Sequence, residues 1–126
     1  MSSSEKFCLK WNDFQTNISS SFQDLRNDQE FTDVTLVCGD NQRIEAHKVI
    51  LASASVVFKN ILTGNKHPHP LIYMKGTKGT LLSSIVDFIY HGEASIFQED
   101  LNVFLALAEE IEMKGLTANK EEVQLN

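Results

Sequence analysis

The chain has 126 residues, of which 42% are hydrophobic and 22% are charged, a balance typical of one soluble globular domain with its own core. Its net charge of −6, with eleven Lys and Arg scattered singly, argues against a surface that grips a phosphate backbone. No hydrophobic run approaches the roughly 18 residues of a membrane-spanning helix, and the N-terminus lacks the basic and apolar regions of a secretory signal.

The N-terminal residues predict a short strand. Phe7, Leu9 and Trp11 alternate with Cys8 and Lys10, which is the period of a strand with one apolar face. No hairpin partner follows it in the sequence. The segment therefore either folds back on its own domain as an edge strand or adds to the sheet of a neighbouring subunit. Around it, we predict a flexible N-terminus at residues 1–5, a folded domain at 6–117, and a polar tail or linker start at 118–126.

A helix is expected next, to about Arg26. Asn12 is placed to cap its free N–H groups, and Gln15, three residues later, is placed to reach back as in a capping box. Its apolar stripe recurs at helical spacing and consists of Phe14, Ile18, Phe22 and Leu25.

A β-hairpin and two short helices follow. Residues 31–38 are β-branched and apolar, a turn follows at 39–41, and residues 42–46 return as the second strand. From His47 the apolar period becomes helical, with a break near residues 53–55 and an end at Gly64.

The last part predicts one more strand and two helices. Residues 71–74 form the strand, and a helix runs from about Thr80 to His91 with Gly92 as its stop. A capping box at residues 95–98 opens the last helix, which Gly115 ends. Its apolar stripe is Leu101, Phe104, Leu105, Ala108 and Ile111. Few strands and clustered helices predict an α-rich α+β domain.

Several blocks resemble the signature of the BTB (POZ) domain family. They are FTDVTL at residues 31–36, AHKVILA at 46–52 and FIYHGE at 88–93. FCLKWN at residues 7–12 and KGLT at 114–117 resemble motifs of the Tramtrack-type subgroup of insect transcription and chromatin proteins. The resemblance covers nearly the whole chain in the family's order. It implies an α-rich fold with a small sheet on one side, and an extra N-terminal strand.

The resemblance also implies a function in protein–protein association rather than catalysis. Members of this family form homodimers, and Tramtrack-type members build larger multimers, such as a hexamer. We therefore expect homodimers that assemble further, other Tramtrack-type BTB domains and co-regulators as additional partners, and a nuclear location. The resemblance places DNA binding outside this segment, and neither nucleic acid nor a membrane is expected as its partner.

Two departures from the family pattern concern loops. Where most relatives have a proline at the start of a helix, this chain has Val56 after Ser55. Where an acidic residue is common after the third strand, it has Gly76, which makes that loop more pliable. Fold and assembly are expected to survive both changes, whereas the resemblance does not determine the choice of partner.

The predicted oligomer interface joins the N-terminal segment to the first helix. It comprises Phe7, Leu9, Trp11, Asn12, Phe14, Ile18 and Phe22. Burying an apolar side chain of this size contributes about 1.5–3 kcal/mol, so a segment shared between subunits biases the protein towards assembly. The same apolar positions of the helix also suit the core of a single domain.

Asp33 and Lys48 carry two alternative interpretations. By resemblance, they line a charged pocket near the dimer interface. By ordinary chemistry, they form an ion pair that ties the hairpin to the following helix, and this structural role is the one we favour.

Neither an enzyme nor a metal site is expected. Of the four histidines, only His67 and His69 are close together and Pro68 separates them, whereas zinc ligands come in short pairs that add up to four. His47 is expected to hydrogen-bond the backbone at its strand-to-helix junction. Cys8 and Cys38 form no C-x-x-C pair and suit a reducing compartment without a disulfide. No cofactor is predicted.

Catalytic motifs are lacking as well. Ser53 and Ser55 lie near His47 in the sequence, but there is no nucleophile elbow and no Gly-rich phosphate loop. Glu109 and Glu110 are adjacent on a helix and point to different faces.

A second binding function is the main alternative. Some BTB domains recruit a cullin scaffold and act as substrate adaptors of ubiquitin ligases. Those often carry a hydrophobic-x-Glu element before the third strand, whereas residues 63–70 here contain no Glu. Adaptors also carry extra helices after the domain, and this chain ends soon after Thr117.

Overall fold

The computed structural model describes residues 4–116. In chain order the elements are α1 (Phe14–Arg26), β1 (Val34–Cys38), β2 (Arg43–Ala46), α2 (Lys48–Ala54), α3 (Val56–Leu62), β3 (Leu71–Met74), α4 (Gly79–His91) and α5 (Leu101–Glu110). A single 3₁₀ turn, Gln98–Asp100, leads into α5. The predicted α-rich α+β architecture is confirmed. The predictions for residues 1–3, for Thr117 and for residues 118–126 lie outside the described residues.

The three strands form one sheet in the order β2-β1-β3. β1 pairs antiparallel with β2, as the hairpin pattern predicts, with Leu36 opposite Ile44. It pairs parallel with β3, with Leu36 opposite Ile72. A parallel pair needs a crossover connection, and α2 and α3 lie in the sequence between β1–β2 and β3.

The core lies between one face of this sheet and the helices. β1 supplies Val34, Leu36 and Cys38 to it, all fully buried. The helical part of the core consists of Leu51, Phe58, Leu82, Ile85, Val86, Tyr90, Phe104, Leu107, Ala108 and Ile111. The sequence stripe of α5 missed Leu107, although this residue is at helical spacing from Phe104 and Ile111, which the stripe contained.

The predicted capping boxes are wrong at both helices. Asp13, and not Asn12, precedes α1, and no side chain caps the helix. Asp13 has a left-handed backbone with φ of 56°, and a capping side chain needs an extended one. At the other helix the first turn begins at Gln98, so Ser95 lies too far from it to cap it, and the structure shows no side-chain cap there.

The C-terminal stop of α5 also differs from the prediction. The helix ends at Glu110 and not at Gly115. Glu112 has a left-handed backbone with φ of 52°, and Met113 then forms a β-bridge with Ser55. The backbone N–H of Lys114 donates to the carbonyl of Ala54 at 2.8 Å. The chain leaves the helix because these contacts fasten it to the junction between α2 and α3.

Residues 6–11 form no strand within this chain. A strand needs a partner for its hydrogen bonds. The two edge strands, β2 and β3, each pair only with β1 in the described chain, so residues 6–11 add to neither of them. The interpretation that the segment folds back as an edge strand is therefore wrong for the described chain. The alternative, pairing with a second subunit, stays a prediction.

Ser55 caps the start of α3. Its hydroxyl accepts a hydrogen bond from the backbone N–H of Phe58 at 3.1 Å, which is an N-cap. The same hydroxyl donates to the carbonyl of Ile111. Ser55 is fully buried, so one side chain satisfies two backbone groups that water does not reach.

The cysteines are free and lie in different environments. Cys8 is exposed, whereas Cys38 is buried in β1. Burial, with a smaller effect from the Asp40 carboxylate, raises the pKa of the Cys38 thiol. Among residues 4–116, no helix is long and apolar enough to cross a membrane.

We expect Ser55→Ala to destabilise the domain by about 1–3 kcal/mol, because it leaves the buried backbone N–H of Phe58 without its partner and leaves the carbonyl of Ile111 only the long hydrogen bond from the N–H of Val57 at 3.4 Å. Urea unfolding at one fixed protein concentration measures the change. Ser53→Ala is the matched control, since the exposed Ser53 hydroxyl donates only to the carbonyl of Ile50 on its own helix. Equal stability of the two variants would contradict this role of Ser55.

Candidate self-association surface

The N-terminal segment exposes its apolar side chains. Phe7, Leu9 and Trp11 are 83%, 91% and 62% exposed, and Phe14 at the start of α1 is 51% exposed. The rings of Trp11 and Phe14 lie against each other, with centroids 5.2 Å apart. Solvent-exposed apolar side chains that follow one another in this way mark an interaction surface rather than a core.

Asn12 joins the segment to α1. Its backbone carbonyl accepts a hydrogen bond from the side-chain amide of Asn17 at 3.2 Å. The carbonyl of Asp13 accepts the N–H of Asn17 at 2.9 Å. The segment therefore leaves α1 in a direction that its own hydrogen bonds determine, although its side chains contact little of the domain.

The C-terminal half of α1 docks on the domain. Phe22 is half-buried and packs against the core, with its ring 6.3 Å from His47 in an edge-on arrangement. Arg26 forms an ion pair with Asp87 of α4 at 3.1 Å, and its guanidinium lies 4.6 Å from the centre of the Tyr90 ring. No residue of α1 is fully buried. The helix is thus fastened at one end only.

The structure divides the predicted interface residues into two groups. Trp11 and Phe14 touch each other, and Phe7 and Leu9 stand in solvent beside them. Ile18 is half-buried in the middle of the helix, and Phe22 belongs largely to the core contacts of the single chain. The N-terminal half of the set is available to a partner, whereas the C-terminal half is mostly used already.

His47 does not hydrogen-bond the backbone with its ring, contrary to the prediction. Its Nδ1 lies 2.6 Å from the Tyr90 hydroxyl, which also accepts the backbone N–H of His47 at 3.0 Å. Burial is the main cause that raises the pKa of Tyr90, and hydrogen bonding to His47 and the charge of Arg26 oppose it. The hydroxyl therefore stays protonated and joins α4 to the start of α2.

Asp33 and Lys48 are close, but their side chains do not pair. The carboxylate of Asp33 accepts the backbone N–H of Lys48 at 2.7 Å. The ammonium of Lys48 instead donates to the carbonyl of His67 at 3.0 Å. The predicted ion pair is therefore wrong, because the carboxylate binds the free N–H at the first residue of α2.

A polar cluster on the outer face of the sheet escaped the sequence interpretation. The carboxylate of Glu45 in β2 accepts the hydroxyl of Thr32 at 2.8 Å, and the hydroxyl of Thr35 in β1 lies 2.7 Å from Nε2 of His69. In the sequence, only the alternation of side chains between the two faces of the predicted hairpin could have indicated that Glu45 lies on this outer face. Next to it, the outer side of β2 and the C-terminal ends of α1 and α4 line an open cavity of about 620 Å³.

The residues that first suggest catalysis are engaged elsewhere. The hydroxyls of Ser53 and Ser55 donate to backbone carbonyls, and the His47 ring binds Tyr90. No group of three or more His, Cys, Asp or Glu in residues 4–116 is arranged to hold a metal ion.

The fold and the signature blocks of the sequence agree with one protein family. The model of the BTB/POZ domain family matches residues 22–126, which is most of the chain. The chain belongs to the BTB/POZ domain family. BTB/POZ domains of this group are interaction modules, and the recognition made from the signature blocks is confirmed.

Curated relatives place the chain in the Tramtrack-type group. The Longitudinals lacking protein-like protein of Drosophila melanogaster is 43% identical over 98% of this chain and 97% of that protein. The Broad-complex core protein of the same organism is 39% identical over 97% of this chain. The alpha isoform of its protein tramtrack is 40% identical over 90% of this chain. The chain spans only 17% and 14% of the latter two proteins.

Solved structures agree on the fold. The BTB domain of zebrafish PATZ1 superposes with a TM-score of 0.73 over 84% of this chain and 86% of that one, at 20% identity. The BTB domain of human gigaxonin superposes with a TM-score of 0.71 over 85% of this chain and 87% of that one, also at 20% identity.

We expect Asp33→Ala to lower the free energy of unfolding by about 0.5–2 kcal/mol, because it removes the acceptor of the first N–H of α2. Asp33→Asn keeps an acceptor oxygen in the same place and should cost less than half as much. Urea unfolding of both variants at one protein concentration measures the difference. If the Asn variant lost as much as the Ala variant, charge rather than the hydrogen bond would be the contribution of Asp33.

Proposed function

We propose that this domain is a self-association module of a nuclear transcriptional or chromatin regulator. The observation that carries the proposal is the run of exposed apolar side chains at Phe7, Leu9, Trp11 and Phe14. The family match and the Tramtrack-type relatives support it. The domain forms homodimers that join into a larger multimer, such as a hexamer, and it also takes up related BTB domains and co-regulators.

Two chains gain enough by burying this surface to associate. Each fully buried apolar side chain contributes about 1.5–3 kcal/mol, and association costs about 4–15 kcal/mol in lost freedom. Burial of the apolar side chains of a single segment therefore only just offsets the cost of association. A twofold contact buries the same surface from both chains, which doubles the gain for one association.

The mode of contact is strand addition. The segment has the strand period, and within residues 4–116 it has no strand partner, while β2 and β3 each leave one edge of the sheet unpaired. An extended segment that adds to the sheet of a neighbour gains backbone hydrogen bonds, and alternate side chains fill pockets. Asn12 and α1 then lie at the same contact.

The role of such a module is multivalency. Linked copies raise the effective concentration of the DNA-binding regions that other parts of the protein carry. Clustered binding sites are then held more tightly than any single copy holds one. The acidic domain itself makes no contact with the nucleic acid in this mechanism.

Deletion of residues 1–11 should reduce the size of the assembly. Light scattering coupled to size exclusion, at several protein concentrations, compares the full chain with the truncated one. The intact protein is expected as a multimer and the truncated protein as a smaller species. A monomeric intact protein would overturn the proposed self-association, whereas identical multimers would overturn only the role of the segment.

Point variants separate packing from charge in the same segment. Trp11→Ala removes the ring that packs on Phe14, and should shift assembly to concentrations about tenfold higher or more. Lys10→Ala, one residue away and also exposed, should leave the assembly unchanged. Equal effects of the two variants would contradict an apolar contact at Trp11.

A further inference from the structure

β2 presents hydrogen-bonding groups to solvent. It is an outer strand of the sheet, and β1 is its only strand neighbour in the described chain. The carbonyls of Gln42 and Ala46 accept N–H groups of β1 and of Asp33 just before it. Because backbone groups alternate in direction along a strand, the N–H and C=O of Arg43 and Glu45 point away from the sheet.

The side chains at these two positions carry opposite charges on one face. Successive side chains of a strand alternate between faces, so Arg43 and Glu45 lie on the same outer face. Glu45 is held in place by the Thr32 hydroxyl at 2.8 Å. Arg43 is exposed and forms no ion pair within residues 4–116.

Space for a partner exists beside this edge. The open cavity of about 620 Å³ runs along β2 and includes Arg43, Ile44 and Glu45 in its lining. Its other wall is the C-terminal ends of α1 and α4, which are polar. An extended strand that enters here meets free backbone groups on one side and polar side chains on the other.

Charge decides which strand fits and in which register. If β2 pairs antiparallel with β2 of a second copy, the outward groups face each other in three registers. Arg43 lies opposite Arg43 of the second copy in one, and Glu45 opposite Glu45 in another, and like charges directly opposite are destabilising. In the third register Arg43 lies opposite Glu45 of the second copy, twice, and Ile44 lies on the twofold axis.

We propose that β2 of two copies pairs antiparallel in this third register, as a second self-association contact of the protein. Charged residues on an edge strand ordinarily discourage pairing, but one unlike pair two residues apart instead selects a single self-complementary register. The contact supplies roughly four backbone hydrogen bonds and two cross-strand ion pairs.

This contact deepens the proposed function and rests on it. A pairing this short needs the higher local concentration that the N-terminal contact provides. Two different twofold contacts on one chain allow dimers to join into larger closed assemblies, whereas a single twofold contact stops at a dimer. The partner is therefore a second copy that already belongs to a dimer.

Charge reversal tests the register. In Arg43→Glu and in Glu45→Arg, every opposing pair becomes like-charged, so each variant alone should assemble at least tenfold more weakly than the wild type in light scattering. An equal mixture of the two restores unlike pairs and should recover the larger assembly, as should the double variant by itself. Lys59→Glu and Glu109→Arg are exposed controls with the same charge changes and should behave like the wild type.

The outcomes separate this inference from the proposed function. Assemblies unchanged by either reversal, but reduced by deletion of residues 1–11, would overturn the β2 contact and leave the N-terminal one. Weakened single variants that neither mixing nor the double variant rescues would overturn the register. A monomeric wild-type protein would overturn both proposals. Circular dichroism of each variant confirms folding, which matters for Glu45→Arg because it removes the bond to Thr32.

Discussion

The Tyr90 hydroxyl is the contact on which the arrangement of the helices depends. It accepts the backbone N–H of His47 and lies against the ring of the same residue, so it joins α4 to the start of α2. Arg26 lies over the Tyr90 ring and pairs with Asp87, so the same place holds the end of α1. These contacts hold the C-terminal end of α1. Its N-terminal end has no comparable contacts among the described residues, so Trp11 and Phe14 remain exposed.

A domain of this kind acts through its surface rather than through a site. The interior is filled by aliphatic and aromatic side chains, and two polar side chains hold structural junctions: Ser55 holds the junction of α2 and α3, and Asp33 holds the start of α2. The distinctive features of the described chain are surface groups without partners, at the N-terminal segment and at the edge of the sheet. Within residues 4–116, the apolar side chains of the N-terminal segment pack in no core, and the outward backbone groups of β2 have no strand partner.

Local patterns predicted most of the fold, and long-range contacts decided the rest. The helices, the hairpin and β3 follow from apolar period and turn residues within each segment. The caps at Asn12 and Ser95 were wrong because a cap depends on backbone dihedral angles that the surrounding chain imposes, as at Asp13. The end of α5 was wrong because Met113 pairs with Ser55, more than fifty residues away in the chain. The interface positions were predicted as one set, but packing places Phe22 against the core and leaves Trp11 exposed.

By itself, the sequence determined the family, the order of the elements and the apolar strand period of residues 6–11, because signature blocks and periodicity are local properties of the chain. Only the tertiary structure decided that this segment has no strand partner among the described residues, that the carboxylate of Asp33 binds the backbone N–H of Lys48 instead of its ammonium, and that the outer edge of β2 carries Arg43 and Glu45. The physical reason is that hydrogen-bond partners and exposed edges depend on which distant segments meet, and periodicity does not encode that.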